Sequence, residues 1–391
     1  MKKYWQLLLI ALVIIATISV HYIQVAKASN QSYNLLFEKI SGDDKYIDSL
    51  TMEGYFESGY TSIPANITKD DTTLLTNPFL RHTTLTFREL IDQHKAFMRG
   101  KEHNASNYYE DEARLIYVEE PDEVWKLNEG ATITYNIDVL NKDNDTSNAF
   151  SVSLALNKSL DWISVQNTVV VDNELKFLTN YMENNGDSEV HLVVIDLKKQ
   201  QLVSDTILDT VETTEIQRSN ITIYNEYENF GYEKYVVYSI SSYNPYAQEY
   251  EIVSQQFKIL NIETNEVTNL EVPESIVPER LMGVLDNNNF VISILEGTNL
   301  VLYQYNIGQK RWLDPVNVKT SVKIVNNDSY TMQATKGKIY LINKVEQGLL
   351  LQILDIDNHQ SLYEGILKNA DNEQNFNLSI YRFHDGGNDS I

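Results

Sequence analysis

Four stretches in the second half of the chain repeat one pattern, and that repetition restricts the fold more than any other feature. They run Val190–Leu202, Gln255–Val267, Leu300–Trp312 and Leu349–Ser361. Each is an apolar run that ends on Asp196, Asn261, Asn306 or Asp355, followed by one apolar residue and a few polar ones, then a return. β-branched and aromatic residues suit a pleated strand, and an Asp or Asn side chain bonds nearby backbone as the chain enters a turn. Each copy therefore reads as a β-hairpin. The intervals between the Asp/Asn positions are 65, 45 and 49 residues. Further short strands precede three of the hairpins, with turns at Asp172-Asn173, Asp286-Asn287-Asn288 and Lys336-Gly337. Roughly four strands per repeat of about 40–50 residues is the spacing of a propeller blade.

Residues 168–383 thus resemble a β-propeller of the bacterial, Gram-positive-like exported type. The likeness is to an architecture and brings no functional residues with it. It implies an all-β fold, a propeller of about 5–7 four-stranded blades by this spacing. Arg114–Val118, Ala131–Leu140 and Phe150–Leu156 supply strands for another blade. Leu378–Phe383 is expected to lie beside an early strand and close the circle. One helical insertion is expected at about 86–100 from the helix signals themselves. Thr86 and Glu89 form a capping box, Phe87, Leu90, Ile91, His94, Phe97 and Met98 share a face, and Gly100 is a stop.

The N-terminus carries the second strong signal. Met1-Lys2-Lys3 precedes an uncharged apolar run from Leu7 to Val20, the pattern of an export segment. The lysines are expected to stay inside and the rest of the chain outside. Ala26-Lys27-Ala28 fits cleavage after Ala28, but Tyr4–Ile23 is long enough to span a bilayer, with Tyr4, Trp5 and Tyr22 as interfacial aromatics. The expected organisation is a signal anchor or signal peptide at 1–28, an irregular membrane-proximal region at 29–110, and propeller-like repeats at 111–391. The expected location is the cell membrane, single-pass with an extracytoplasmic C-terminal domain, or secreted if cleaved.

Composition excludes several functions. The net charge is −24; the first 28 residues hold Lys2, Lys3 and Lys27 and no acid, so the remainder carries −27. Nucleic acid needs clustered Lys and Arg, and is excluded as a partner. The chain has no cysteine, which removes disulfides and thiol chemistry. No Gly-x-Ser-x-Gly elbow, His-x-x-x-His pair or phosphate loop occurs, and no cofactor or metal set is implied. His94 reads as a core-edge residue. Asn141-x-Asp143-x-Asp145 begins like a calcium loop, but lacks the glycine and the closing glutamate and reads as a hairpin turn. Acidic pairs such as Asp43-Asp44, Asp70-Asp71 and Glu119-Glu120 read as solvated charge.

Tyrosine stands above background. Of 25 in the chain, eight fall within 27 residues: Tyr224, Tyr227, Tyr232, Tyr235, Tyr238, Tyr243, Tyr246 and Tyr250. They lie inside the long, 65-residue interval. Asn244-Pro245-Tyr246-Ala247 reads as the tip of a loop between two strands. Tyrosine offers a large contact area with a polar tip, so Tyr243, Tyr246 and Tyr250 are the expected binding residues. The leading expectation is a membrane-anchored binding module for an envelope protein or polysaccharide, without chemistry. A carboxylate-dependent glycan hydrolase or lyase is the alternative, and an accessory sensor domain of a membrane signalling protein is a third.

Overall fold

The computed structural model describes residues 9–10, 12–17, 19–20, 35–58, 61–75, 83–122, 124, 129–214, 218–225, 230–247, 252–274, 276, 281–296, 299–324, 330–369 and 377–386. The expected cleavage point after Ala28 and the flanking Tyr4, Trp5 and Tyr22 lie outside them. The described residues between 9 and 20 are helical. No helix among the described residues is long and apolar enough to cross a membrane.

The fold is all-β, with six antiparallel sheets, each built on four strands that follow one another across it. The chain divides into two compact units, Met1–Glu89 with Thr320–Ile391, and Leu90–Lys319.

The first unit holds two sheets. One runs β22 (Tyr330–Thr335), β23 (Lys338–Val345), β24 (Gly348–Asp355) and β25 (Ser361–Asn369), with β1 (Leu35–Gly42) added at the edge. The other runs β26 (Leu378–Asp385), β2 (Leu50–Ser58), β3 (Thr61–Ile67) and β4 (Thr72–Leu74). The last strand therefore pairs with an early one, as expected, from Leu50 opposite Asp385 to Phe56 opposite Leu378. The strands approach closely: a Cβ on Gly54 would lie 2.5 Å from the Ser379 carbonyl. Met52, Phe56, Ile67, Tyr340, Leu351, Tyr363 and Phe383 fill the core between the two sheets. Glu53, 1% exposed, is buried with charge partners: it accepts from the Leu85 N–H at 2.6 Å and meets Arg88 and Arg382, each at 3.3 Å.

The second unit holds four sheets. They are β5 (Tyr108–Glu110), β6 (Arg114–Glu119), β7 (Thr132–Asn141) and β8 (Thr146–Ala155); β9 (Leu160–Val171), β10 (Glu174–Glu183), β11 (Ser188–Asp196) and β12 (Gln201–Val211); β13 (Arg218–Ile223), β14 (Tyr235–Tyr243), β15 (Ile252–Asn261) and β16 (Glu266–Leu270); and β17 (Leu281–Asp286), β18 (Asn289–Glu296), β19 (Asn299–Asn306) and β20 (Arg311–Trp312), with β21 (Val316–Val318) also on β19. Both faces of β11 are covered, which is why Val190–Ile195 reads as an unbroken apolar run instead of an alternating one.

The repeat seen in the sequence is a turn device joining the third and fourth strands. In five sheets the last residue of the third strand is Asn141, Asp196, Asn261, Asn306 or Asp355. Its side-chain oxygen accepts backbone N–H groups two or three residues on, at 2.9–3.4 Å. Four residues after it the chain turns with positive φ, at Asp145, Gln200, Asn265, Lys310 and His359 (52–60°). The residue directly after the Asp or Asn sends its N–H to the turn or loop between the first and second strands: Lys142 to Ala113, Leu197 to Asn173, Ile262 to Lys234, Ile307 to Asn288 and Ile356 to Gly337, at 2.8–3.0 Å. That bond locks two turns at one end of the sheet together, and Ile262, Ile307 and Ile356 are buried under it. Asn141 belongs to this set, in agreement with the hairpin reading. The sixth sheet departs from it. Its turn follows Ile67, and the Thr68 hydroxyl accepts from the Asp71 N–H instead.

Two expectations are revised. Residues 29–110 are not an irregular region, because β1 to β5 fall within that span and β2–β4 share a sheet with the C-terminal strand. The helix is two helices, α1 (Leu85–Gln93) and α2 (Lys95–Met98), with His94 at φ −128° and ψ 48° between them. It starts one residue before Thr86, so the capping box is not formed: the Leu85 N–H is bound by the Glu53 carboxylate and Thr84 accepts from Phe87. Phe87, Leu90, Phe97 and Met98 are buried, as the shared face predicts.

Candidate functional site

The tyrosine-rich segment is divided between the two ends of one sheet. At the end that carries the Asn261 turn, β13 and β14 are joined by a long loop rather than a two-residue turn. Within it Tyr224 is buried, its hydroxyl 2.9 Å from Ser239, and Tyr232 donates to Glu263 at 2.7 Å. The Phe230 ring meets that of Tyr108, and its carbonyl accepts from the Glu110 N–H at 2.6 Å. This part of the long interval is packing against the β5–β8 sheet. Tyr238 is fully buried in β14 and Tyr235 half-buried.

The opposite end is different. β14 finishes on Tyr243, half-buried and opposite Arg218. Asn244 then folds the chain back, its side chain accepting from the Tyr246 N–H at 3.0 Å and its carbonyl from Ala247 at 3.4 Å. Tyr246 stands at the tip, 75% exposed, with Val253 exposed nearby in sequence at the start of β15. Tyr227 and Tyr250 lie outside the described residues. A pinned turn that presents a nearly free aromatic ring suits contact with a partner surface.

A second arrangement was visible in the sequence only as the pair Glu119-Glu120. The end of β6, the segment that follows it and the start of β9 enclose an open cleft of about 410 Å³. Glu102, Glu119, Glu120, Asp122 and Asp161 line it, with Tyr117 and the 47% exposed Trp162. Asn136 donates to Glu119 at 2.6 Å and the Val165 N–H donates to Glu120 at 2.7 Å. Burial pushes the Glu120 carboxyl above its ordinary value and the nearby Glu102 charge adds to this, while the Val165 N–H opposes it. Burial likewise pushes the Tyr117 phenol up to about 12. A carboxyl raised by burial beside other carboxyl groups has the form of a general acid. Nothing in the sequence marks Asp161 or Trp162, because β9 brings them to the cleft from more than a strand away. Among the described residues no group of His, Asp and Glu is placed to hold a metal ion.

The raised Glu120 carboxyl has a testable sign. Its contribution to stability is present below the unfolded-state value and is lost as pH rises through the folded-state value. Glu120→Gln should therefore gain in melting temperature relative to the wild type as pH is raised from 4 to 7. Melting curves of both proteins across that range check it, and a difference that stays constant or shrinks would show that Glu120 carries no burial penalty.

A third cluster is centred on a buried imidazole. His191, 5% exposed, lies between Asp205 at 2.7 Å and Glu189 at 3.1 Å, its ring 4.0 Å from that of Tyr181. Lys158 bridges Glu183 and Glu189, each at 2.7 Å. Burial pushes the Glu189 carboxyl up, but the hydrogen bonds from Lys158 and His191 outweigh it and hold the group below its ordinary value. Tyr135 and Tyr181 share a hydrogen bond at 3.2 Å beneath it. With its imidazole buried and both nitrogens bonded, this cluster ties β11 to β12, while Asp205 at its edge is exposed.

No protein-family pattern and no curated protein matches the chain. Among solved structures it is similar to the polysaccharide lyase Uly1, at 9% identity over 64% of this chain and 57% of that one, with a TM-score of 0.38. It is similar to an oligogalacturonate lyase bound to manganese, at 14% identity over 65% of this chain and 62% of that one, TM-score 0.31. It is also similar to the β-propeller domain of the Trilobed protease from Pyrococcus furiosus, at 7% identity over 82% and 83% of the two chains, TM-score 0.33. The chain spans less than two thirds of either lyase, and at these TM-scores none of the three bears on its function.

Proposed function

We propose that the chain is a membrane-anchored, extracytoplasmic binding module that engages an envelope protein or polymer and performs no chemistry. In this reading the six sheets are blades of a β-propeller, and the N-terminal apolar segment is the tether. Tyr243, Tyr246 and Tyr250 at the β14–β15 turn form the contact. The observation that carries the reading is Tyr246, 75% exposed on a turn pinned by Asn244. The export pattern and the missing catalytic motifs support it. Buried aromatic anchors in interfaces commonly contribute about 2 kcal/mol or more. Tyr246→Ala should then weaken retention of the purified protein on isolated cell envelopes by roughly 30-fold, and adding Tyr243→Ala should weaken it further. Variants retained as well as the wild type would remove the turn as the site.

The acidic cleft supports a second reading, a carboxylate-dependent glycan hydrolase or lyase, because Glu120 is raised beside Glu119 and Asp161. That reading requires turnover of envelope polysaccharide that Glu120→Gln abolishes.

A further inference from the structure

The first unit contains a cleft that the sequence does not mark. It lies at the ends of β2 and β23 and the starts of β22 and β26, the end opposite the turns after Ile67 and Asp355, and encloses about 400 Å³. Tyr55 and Tyr381 stack at its side with ring centroids 6.1 Å apart and planes at 28°, and Tyr381 is 43% exposed. Tyr330 is a third aromatic wall. Glu57, Lys344 and Asn377 stand around it, all exposed. At its rim the Glu57 N–H donates to the Asn377 carbonyl at 2.9 Å.

The side chains of this cleft differ from the charged clusters elsewhere in the protein. Among the described residues the Glu57 carboxylate and the Lys344 ammonium form no ion pair or hydrogen bond, and neither does the Asn377 amide side chain. An acceptor, a donor and a group that does both thus stand beside a tyrosine face with no side-chain partner among the described residues. The two charges cancel, so the cleft favours neither an anion nor a cation. A volume near 400 Å³ is within the range of small-molecule sites, which are typically about 300–1,000 Å³.

We infer that this cleft binds a neutral pyranose unit of an oligosaccharide. The apolar C–H face of the sugar packs on Tyr381, whose ring is supported from behind by Tyr55. Ring hydroxyls donate to Glu57 and accept from Lys344, and Asn377 serves either role. An apolar aromatic face with a few convergent polar groups is what a ring with one C–H face and a polar rim requires. This site is separate from the tyrosine turn of the other unit and does not depend on it.

Calorimetric titration of the full-length protein with chitotetraose and with cellotetraose tests the assignment. Binding of at least one neutral tetrasaccharide is expected. Tyr381→Ala should weaken it at least tenfold, Tyr381→Phe should preserve it, and Tyr246→Ala should leave it unchanged. Because Tyr381 also packs against Tyr55, the exposed substitutions Lys344→Ala and Glu57→Gln provide an independent check, and each should weaken binding several-fold without moving the melting temperature. No heat with either tetrasaccharide would overturn the inference. So would binding that survives both Tyr381→Ala and Lys344→Ala, or tighter binding of tetragalacturonate than of the neutral sugars. Envelope retention lost in Tyr246→Ala but kept in Lys344→Ala would separate this site from the turn.

Discussion

Glu53→Ala should destabilise the protein by about 3–5 kcal/mol, the range found when one partner of a buried ion pair is removed. Glu53 is 1% exposed and accepts from the Leu85 N–H, Arg88 and Arg382. Its loss removes the carboxylate that meets Arg382, itself 7% exposed, on the C-terminal strand of the β2 sheet. It also leaves the first N–H of α1 unsatisfied. Glu53→Gln should cost less, because an amide oxygen still accepts from Leu85 and one guanidinium. Urea unfolding of the three proteins measures this, with a lowered midpoint at unchanged slope as the expected result. A loss below about 1 kcal/mol, the level of an exposed ion pair, would mean that the charges around Glu53 are solvated.

The second large effect is expected at Asp209. It accepts from the Tyr238 hydroxyl at 2.6 Å and is paired with the Lys258 ammonium, tying β12 to β14 and β15. Tyr238 is fully buried, and burial together with Asp209 holds its phenol well above the ordinary range. Asp209→Ala strands a buried phenol and a largely buried ammonium, so a loss of about 3 kcal/mol is expected. Removing both charges is less damaging than removing one. Asp209→Leu combined with Lys258→Met should recover a substantial part of the loss, and chemical unfolding of the single and double variants gives the coupling directly. Additive losses would show that the pair does not act as a unit.

The sequence revealed the turn device because its chemistry is local. An Asp or Asn that caps its own turn leaves a mark at one position, and the apolar residue after it leaves a second. Four copies were legible on that basis and Asn141 fits as a fifth. The β26-β2-β3-β4 sheet lacks both marks, since its turn opens on Ile67-Thr68 and a hydroxyl does the capping. Its assembly from opposite ends of the chain was legible only as an expectation that Leu378–Phe383 would lie beside an early strand. The helix was found but not its break at His94 or its start, because the group that binds the Leu85 N–H is a distant carboxylate on β2. The tyrosine cluster was visible as a count. Which rings are buried depends on partners such as Ser239, Asp209 and Tyr108, which no local pattern indicates. Of the two clefts the sequence shows only the pair Glu119-Glu120, for the same reason: each is assembled from segments far apart in sequence, and a lone Trp162 or Tyr381 carries no signal.

Hydroxyl-radical footprinting of the full-length protein, alone and on isolated cell envelopes, tests the binding account most directly. The account predicts strong labelling of Tyr246 in the free protein and marked protection on the envelope, with the exposed Tyr232 at the other end of the same sheet unchanged. Equal labelling of Tyr246 in both states, under conditions where the protein is retained on the envelope, would contradict it.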